Sequence, residues 1–214
     1  MESSVIPIEK SRHTDFMRQI KAAHGDFDFV LIGDSITDNW PKYGKNTFAC
    51  FAPWKPLDLG VSGEATEEVL WRLLNGELDG IHPKVVMIMI GTNNTGHYGD
   101  EKPEWVAAGI RKIIETVRAK QPQAKILLLA IFPRGATPAD PFRQRNDQVN
   151  AMLPALADGK NVLFLDIGPK FLDAKGNLSK EIMTDLLHPN DRGYRIWMEA
   201  VGPKLEELMG SKLA

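Results

Sequence analysis

Five short apolar runs punctuate the chain, over 27–32, 56–61, 85–90, 126–132 and 162–167. They are nearly continuous in hydrophobicity and are bounded by Gly, Pro or polar residues. A half-exposed strand alternates polar and apolar positions, whereas a strand buried on both faces does not. These runs therefore predict a parallel sheet covered on both sides. The segments between them change period. Over 66–74, Val69, Leu70, Leu73 and Leu74 recur at helical spacing. Over 103–120, a proline suited to a first turn is followed by Trp105, Ile110, Ile113, Ile114 and Val117 along one side. Residues 142–156 and 191–209 predict two more helices, and 13–24 a short one before the first strand. Alternating strand and helix predicts an α/β sandwich with a five-stranded parallel sheet and helices on both faces. The stretch "PRGATPADP", 133–141, predicts a surface loop.

Composition narrows the class. The 214 residues fit one domain, expected to run over 1–214 because no repeat, low-complexity tract or linker divides them. Net charge is -2 and neither sign forms a block, so there is no footprint for a nucleic acid. The single cysteine, Cys50, excludes an intramolecular disulfide and a Cys-based zinc cluster. Its neighbours Phe48, Ala49 and Phe51 predict a buried structural thiol. No apolar stretch reaches the roughly 18 residues of a membrane span. "MESSVIPIEK" has neither the basic start nor the apolar stretch of a signal peptide, so a cytoplasmic protein is expected, although a trimmed leader would read the same. The "SKL" near the C-terminus is followed by Ala214, and a peroxisomal tripeptide must be terminal.

Ligands of open parallel sheets bind beyond the carboxyl ends of the strands. There the first run stops at Gly33-Asp34-Ser35, the second is followed by "GVSGEAT", 60–66, and the third by "GTNNTG", 91–96. "TDLLHPND", 184–191, precedes the last helix. Ser35 could be a nucleophile if a base takes its proton, or it could cap a helix. Of the five histidines, His188 is the candidate base: Asp185 lies three residues before it and Pro189 follows it. Pro189 pushes His188 out of helical geometry. Asp185 could then hold one imidazole nitrogen and leave the other for Ser35. Asn190 or Asp191 would cap the last helix. Acyl transfer also needs donors for an oxyanion. The N–H groups of Ser35 and Gly63 and the side-chain amide of Asn93 are candidates, although turn geometry alone would account for the glycine and the asparagine. Asp34 is expected to be structural, and Asp166 to bond nearby backbone.

Taken together, "GDSI" at 33–36, the glycine of "GVSGEAT", "GTNN" at 91–94 and "DLLH" at 185–188 resemble the four blocks of the SGNH hydrolases, or GDSL esterase/lipase family. Their order and spacing match over almost the whole chain. "VLWRLLNGELDGIHPKVVMIMIGTNN", 69–94, "QPQAKILLLAIFPRG", 121–135, and "RQRNDQVN", 143–150, resemble the platelet-activating-factor acetylhydrolase branch of that family. The resemblance implies a flavodoxin-like three-layer α/β/α fold. It also implies a Ser35-His188-Asp185 triad and an oxyanion hole from Ser35, Gly63 and Asn93. No cofactor and no metal are expected. Asp58 and Glu64 depart from the family's second block, where Asn and Asp are common.

The expected activity is hydrolysis of short-acyl, chiefly acetyl, esters of a small molecule. No large insertion is present to build a lid or a long acyl tunnel. A carbohydrate O-acetyl esterase and a non-catalytic ligand-binding member of the fold are the alternatives. Trp40, Thr95, Leu186 and Leu187 stand near the blocks in sequence and are candidates for lining the substrate pocket, or equally for the core. The resemblance also implies a homodimer.

Overall fold

The computed structural model describes residues 10–97 and 101–214. The stretch 1–9 and the side chain of His97 fall outside the described residues. Five parallel strands form one sheet: β1 (Phe29–Gly33), β2 (Pro56–Gly60), β3 (Val85–Met89), β4 (Lys125–Leu129) and β5 (Val162–Leu165), in the order β2-β1-β3-β4-β5. Each lies within or one residue outside its apolar run. The α-helices described are α1 (Lys10–Ala22), α2 (Ser35–Asp38), α3 (Trp40–Tyr43), α4 (Lys45–Ala49), α5 (Thr66–Arg72), α6 (Thr92–His97), α7 (Pro103–Lys120), α8 (Pro141–Asn150) and α9 (Asp191–Met209).

The absence of alternation in the strands is explained by two apolar cores, one on each face. Val30, Ile32, Val86, Ile88, Ile126 and Leu128 face one way, against Phe16, Val69, Ile110, Ile113 and Val149 of α1, α5, α7 and α8. Phe29, Leu31, Met87, Met89, Leu127 and Leu129 face the other way, against Ile36, Trp40, Tyr194, Trp197 and Val201 of α2, α3 and α9. Fully burying each such side chain is worth about 1.5–3 kcal/mol, so the sheet is held from both sides. This is the three-layer α/β/α architecture.

Helices 103–120 and 191–209 form over their expected ranges. Three others differ. Helix 142–156 begins at Pro141, where the Asp140 carboxylate caps the N–H groups of Phe142 and Arg143, and it stops at Asn150. Pro154 cannot continue an α-helix, because it lacks the N–H and its ring meets the carbonyl four residues back, and a 3-10 turn follows over Leu153–Leu156. Helix 66–74 ends at Arg72 and widens into a π-turn over Leu73–Glu77, where Gly76 takes φ +114. Helix 13–24 runs from Lys10 to Ala22. Cys50 is half-buried rather than buried, its Sγ 3.6 Å from the Asn46 carbonyl. The 133–141 stretch is a loop up to Pro141, as its prolines imply.

The sheet order has a consequence for chemistry. From β1 the chain steps outward to β2, then returns past β1 to β3. The loops after β1, β2 and β3 are therefore neighbours at one carboxyl edge, the switch point where such sheets take ligands.

Candidate active site

The turn after β1 is built by Asp34. Its carboxylate accepts the Ile36 N–H at 2.9 Å, and its carbonyl accepts the N–H groups of Thr37 at 3.1 Å and Asp38 at 2.9 Å. These bonds cap α2 and make Ser35 its first residue. Gly33 admits the turn by close approach, since a Cβ there would lie 2.1 Å from Thr37 Oγ1 and 2.7 Å from the Met89 carbonyl. The Tyr194 hydroxyl donates to the Ile36 carbonyl at 2.7 Å and ties α9 to the same helix.

The loop carrying His188 is as closely determined. Asp185 Oδ1 accepts the N–H groups of Leu187 at 3.0 Å and His188 at 2.8 Å, folding the stretch onto itself. Leu186 takes φ +61, an uncommon conformation for a leucine. It is held there by bonds from its N–H to Met183 and from Gly135 to its carbonyl. Asn190 caps α9 by accepting the Gly193 N–H at 3.1 Å.

The two loops meet. Ser35 Oγ lies 2.9 Å from His188 Nε2, and His188 Nδ1 lies 2.6 Å from Asp185 Oδ2. Asp185 acts against partial burial, which resists its charge. The hydrogen bonds from the His188 ring and from the two loop N–H groups win, and hold its carboxyl below the usual carboxylate range. An ionised Asp185 leaves Nδ1 protonated and Nε2 free to accept from Ser35.

Three further groups stand at this edge. The N–H groups of Ser35 and Gly63 make no hydrogen bond to any described residue. Gly63 has φ +84, a backbone that favours glycine. Asn93 is buried in the first turn of α6, and its Nδ2 donates one proton to the Glu64 carbonyl at 2.8 Å. An amide nitrogen has two protons, so one remains. Asn94 instead bridges α6 to α5, accepting the Thr66 N–H and donating to Thr66 Oγ1, both at 3.1 Å.

The expected pocket residues separate. Trp40 has no exposed surface; it stacks on Trp197 at 4.1 Å and donates to Thr47, so it is a core residue. Thr95 is also buried, its hydroxyl bonded to the Thr92 carbonyl and to Asn146. Leu186 and Leu187 flank His188 half-buried, packed on the second core. A cleft of about 290 Å³ beside His188 and Asp185 is lined also by Asn39, Tyr43, Thr184 and Asn190. Among the described residues, no group of three or more His, Cys, Asp or Glu is placed to hold a metal ion. No helix among them is long and apolar enough to cross a membrane.

Three other residues stand at this edge, and of them Arg134 carries no sequence signal. Arg134 donates to the Thr92 carbonyl at 3.0 Å and lies over the Phe142 ring, tying the loop after β4 to α6. Asp34 is wholly buried, and its Oδ2 has no hydrogen-bond partner among the described residues. Burial pushes its carboxyl up to about 6, against the Ile36 N–H and the charges of His188 and Arg134. Asp166 accepts the Gly168 N–H at 2.8 Å, the local backbone bond expected of it.

A family model described as the GDSL-like Lipase/Acylhydrolase family matches residues 31–196. The alpha1 subunit of human platelet-activating factor acetylhydrolase IB is 42% identical over 174 residues, covering 78% of this chain and 70% of that one. The rat alpha2 subunit is 40% identical over 188 residues, covering 86% and 77%. A GDSL-like lipase from Bacteroides thetaiotaomicron superposes with a TM-score of 0.77 at 20% identity, over 93% of this chain and 99% of that one. An acetylxylan esterase from Geobacillus stearothermophilus superposes with a TM-score of 0.68 at 21% identity, over 86% and 94%. At these identities the two structures bear on fold alone.

The buried Asp34 gives a pH signature. In the unfolded chain it titrates near 4, and in the folded protein at about 6. Between these values the folded state holds more protons, so stability falls as pH rises from about 4 to about 6, then stays lowered. Two units correspond to roughly 3 kcal/mol. Asp34→Asn keeps an acceptor for Ile36 and removes this component. The unfolding free energy of wild type minus that of the variant should decline across this window and flatten above it. A difference that does not vary between pH 4 and 8 would contradict the assignment.

Proposed function

The chain belongs to the GDSL-like lipase/acylhydrolase family and is a hydrolase, and from that premise we propose that it is a serine esterase cleaving short-acyl, chiefly acetyl, esters, with Ser35 as nucleophile, His188 as base and Asp185 as its orienting acid. The observation that carries this reading is the row of two hydrogen bonds, 2.9 Å from Ser35 to His188 and 2.6 Å from His188 to Asp185. A serine hydroxyl is a weak nucleophile until a base removes its proton, and this row supplies the base in the required tautomer.

In the proposed cycle His188 Nε2 takes the Ser35 proton as Oγ forms a bond to the ester carbonyl carbon. The carbonyl electron pair moves onto oxygen. That oxyanion accepts from the Ser35 and Gly63 N–H groups and from the remaining Asn93 amide proton. The tetrahedral intermediate collapses, the bond to the alcohol oxygen breaks, and His188 gives its proton to the leaving alcohol. Water then enters along the same path. His188 takes its proton as it attacks the acyl-enzyme, and returns that proton to Ser35 as the acid leaves. Neutral amide donors suit an oxyanion that exists only in passing, because they add no permanent charge to the resting site.

Acetyl specificity is supported by the names of the relatives: those at about 40% identity are named acetylhydrolases. A carbohydrate ester is the second reading. The cleft beside His188, the side on which a leaving alcohol must receive its proton, is walled by the exposed ring of Tyr43 and the polar side chains of Asn39 and Thr184. Hydroxyl-rich alcohols are bound by such surfaces. A homodimer in the cytoplasm completes the proposal.

Hydrolysis of p-nitrophenyl esters from acetyl to dodecanoyl should be fastest for acetyl. Ser35→Ala should lower kcat by on the order of 10⁴ or more, and Asp185→Asn by on the order of 10⁴, by analogy with serine proteases. Full activity in Ser35→Ala would reject the mechanism, and a loss below tenfold in Asp185→Asn would remove Asp185 from it. Sedimentation velocity over a range of concentrations should give a dimer, and monomer throughout would reject that part.

A further inference from the structure

The steps above leave one buried charge cluster without a task. The side chains of Arg72, Glu64 and Glu77 have no exposed surface. Arg72 Nε donates to Glu64 Oε2 at 2.7 Å, Nη1 to Glu77 Oε2, and Nη2 to the Leu59 carbonyl at 2.9 Å. The other oxygen of Glu77 meets His13 Nδ1 at 2.8 Å, so the cluster is anchored to α1. Removing charges from water costs several kcal/mol per ion, and apolar side chains of similar volume often stabilise a fold as well or better. Stability alone is a weak account of this cluster.

Its position offers a stronger one. Glu64 follows Gly63 in the chain, and its carbonyl accepts the Asn93 amide at 2.8 Å. One residue thus touches two of the three proposed oxyanion donors, the first through a peptide bond and the second through a hydrogen bond. The Glu64 side chain is held at one point. Among the described residues, its Oε1 has no hydrogen-bond partner and Oε2 meets only Arg72. Arg72 is fixed independently, by Glu77 and by the end of β2. The loop between β2 and α5 is tied also at its start, where Ser62 Oγ donates to Asp38 at 2.8 Å and Arg12 reaches the Gly60 carbonyl, and at its end, where the Ala65 N–H donates to Glu68 Oε2 at 2.8 Å; between these ties the Glu64 side chain is the anchor nearest Gly63.

We propose that Glu64 and Arg72 are positioning residues for the oxyanion hole. Arg72 holds the Glu64 side chain, and Glu64 in turn aims the Gly63 N–H and the Asn93 amide at the place where the oxyanion forms. Neither residue touches the substrate. The inference rests on the reading of Gly63 and Asn93 as donors. A donor helps only if it points at the oxygen of the transition state, and a misplacement of about 1 Å can cost a hundredfold. Loss of aim should therefore lower kcat and leave KM little changed.

The test compares the two carboxylates that share Arg72. Glu64→Ala and Glu77→Ala each strip one partner from the guanidinium and should lower Tm to a similar degree. Glu64→Ala should lower kcat at least about tenfold with KM within about twofold. It should also weaken, in the same proportion, a short alkyl boronic acid that forms a tetrahedral adduct on Ser35. Glu77→Ala should keep kcat within about threefold. Glu64→Gln keeps an acceptor for Arg72 and should restore kcat to within about threefold of wild type. Should either alanine variant fail to fold, Glu64→Met against Glu77→Met carries the test, since methionine keeps the volume and removes the acceptor for Arg72: kcat should fall at least about tenfold at position 64 and stay within about threefold at 77. Equal kcat losses at the two positions, or none at either, would overturn the proposal. Asn93→Ala separates this outcome from failure of the parent reading. It should lose on the order of 10²–10³ in kcat, and if it loses nothing, the donor assignment itself is wrong.

Discussion

The contact between Ser35 Oγ and His188 Nε2 joins residues 153 apart in the chain, and most of the architecture bears on its 2.9 Å. Ser35 is delivered by the end of a strand buried on both faces, and that strand cannot shift without disturbing two cores. His188 is delivered by a loop fixed at both ends, by the Asn190 cap on α9 and by the contact of Leu186 with Gly135. The Tyr194 hydroxyl on the Ile36 carbonyl joins the two deliveries directly. The proposed nucleophile and base, on opposite ends of the sequence, are therefore brought together by packing.

The same edge is costly. Asp34, buried, and Asp58, partly buried, have carboxyls pushed up to about 6 and about 7 by burial, and Glu64 is pushed up to about 7 by burial against the opposing charge of Arg72. Leu186 sits in a left-handed backbone conformation. None of these is what a stable fold alone would select. Each orders a loop at the carboxyl edge: Asp34 the turn carrying Ser35, Asp58 the end of β2 through the Gly60 N–H, and Leu186 the His188 loop. Local strain and buried charge concentrate where geometry matters for chemistry, and the apolar cores on either side offset them.

The sheet was legible because burial on both faces erases alternation, and all five strands lie where continuous hydrophobicity put them. Helices 103–120 and 191–209 were legible for the opposite reason, since one face of each is apolar over several turns. That Ser35, Asp185 and His188 come together was legible from the strand end and the four sequence blocks taken together, since the Asp-x-x-His-Pro spacing by itself occurs also at Asp79, His82 and Pro83. Of the two readings open for Trp40, pocket or core, the structure gives the core, because nearness in sequence says nothing of direction. Five residues after Ser35 the chain has turned through α2 into α3, and the indole points down onto Trp197. Thr95 is likewise a core residue, its hydroxyl turned from α6 to Asn146 of α8. Arg72 left a trace that could have been read: a charged residue on the Val69 and Leu73 stripe of a helix must be buried with partners. Glu64 and Glu77, the partners, lie on two different turns of chain and could not be paired without the fold.

The central claim is that Ser35 is made nucleophilic by His188. It is tested most directly by treating the wild type and His188→Ala with a small fluorophosphonate and mapping the adduct by mass spectrometry. The account predicts one adduct, on Ser35, formed quickly in the wild type and at least about a thousandfold more slowly in His188→Ala. Labelling of a different residue, or equal rates on Ser35 in both proteins, would contradict it.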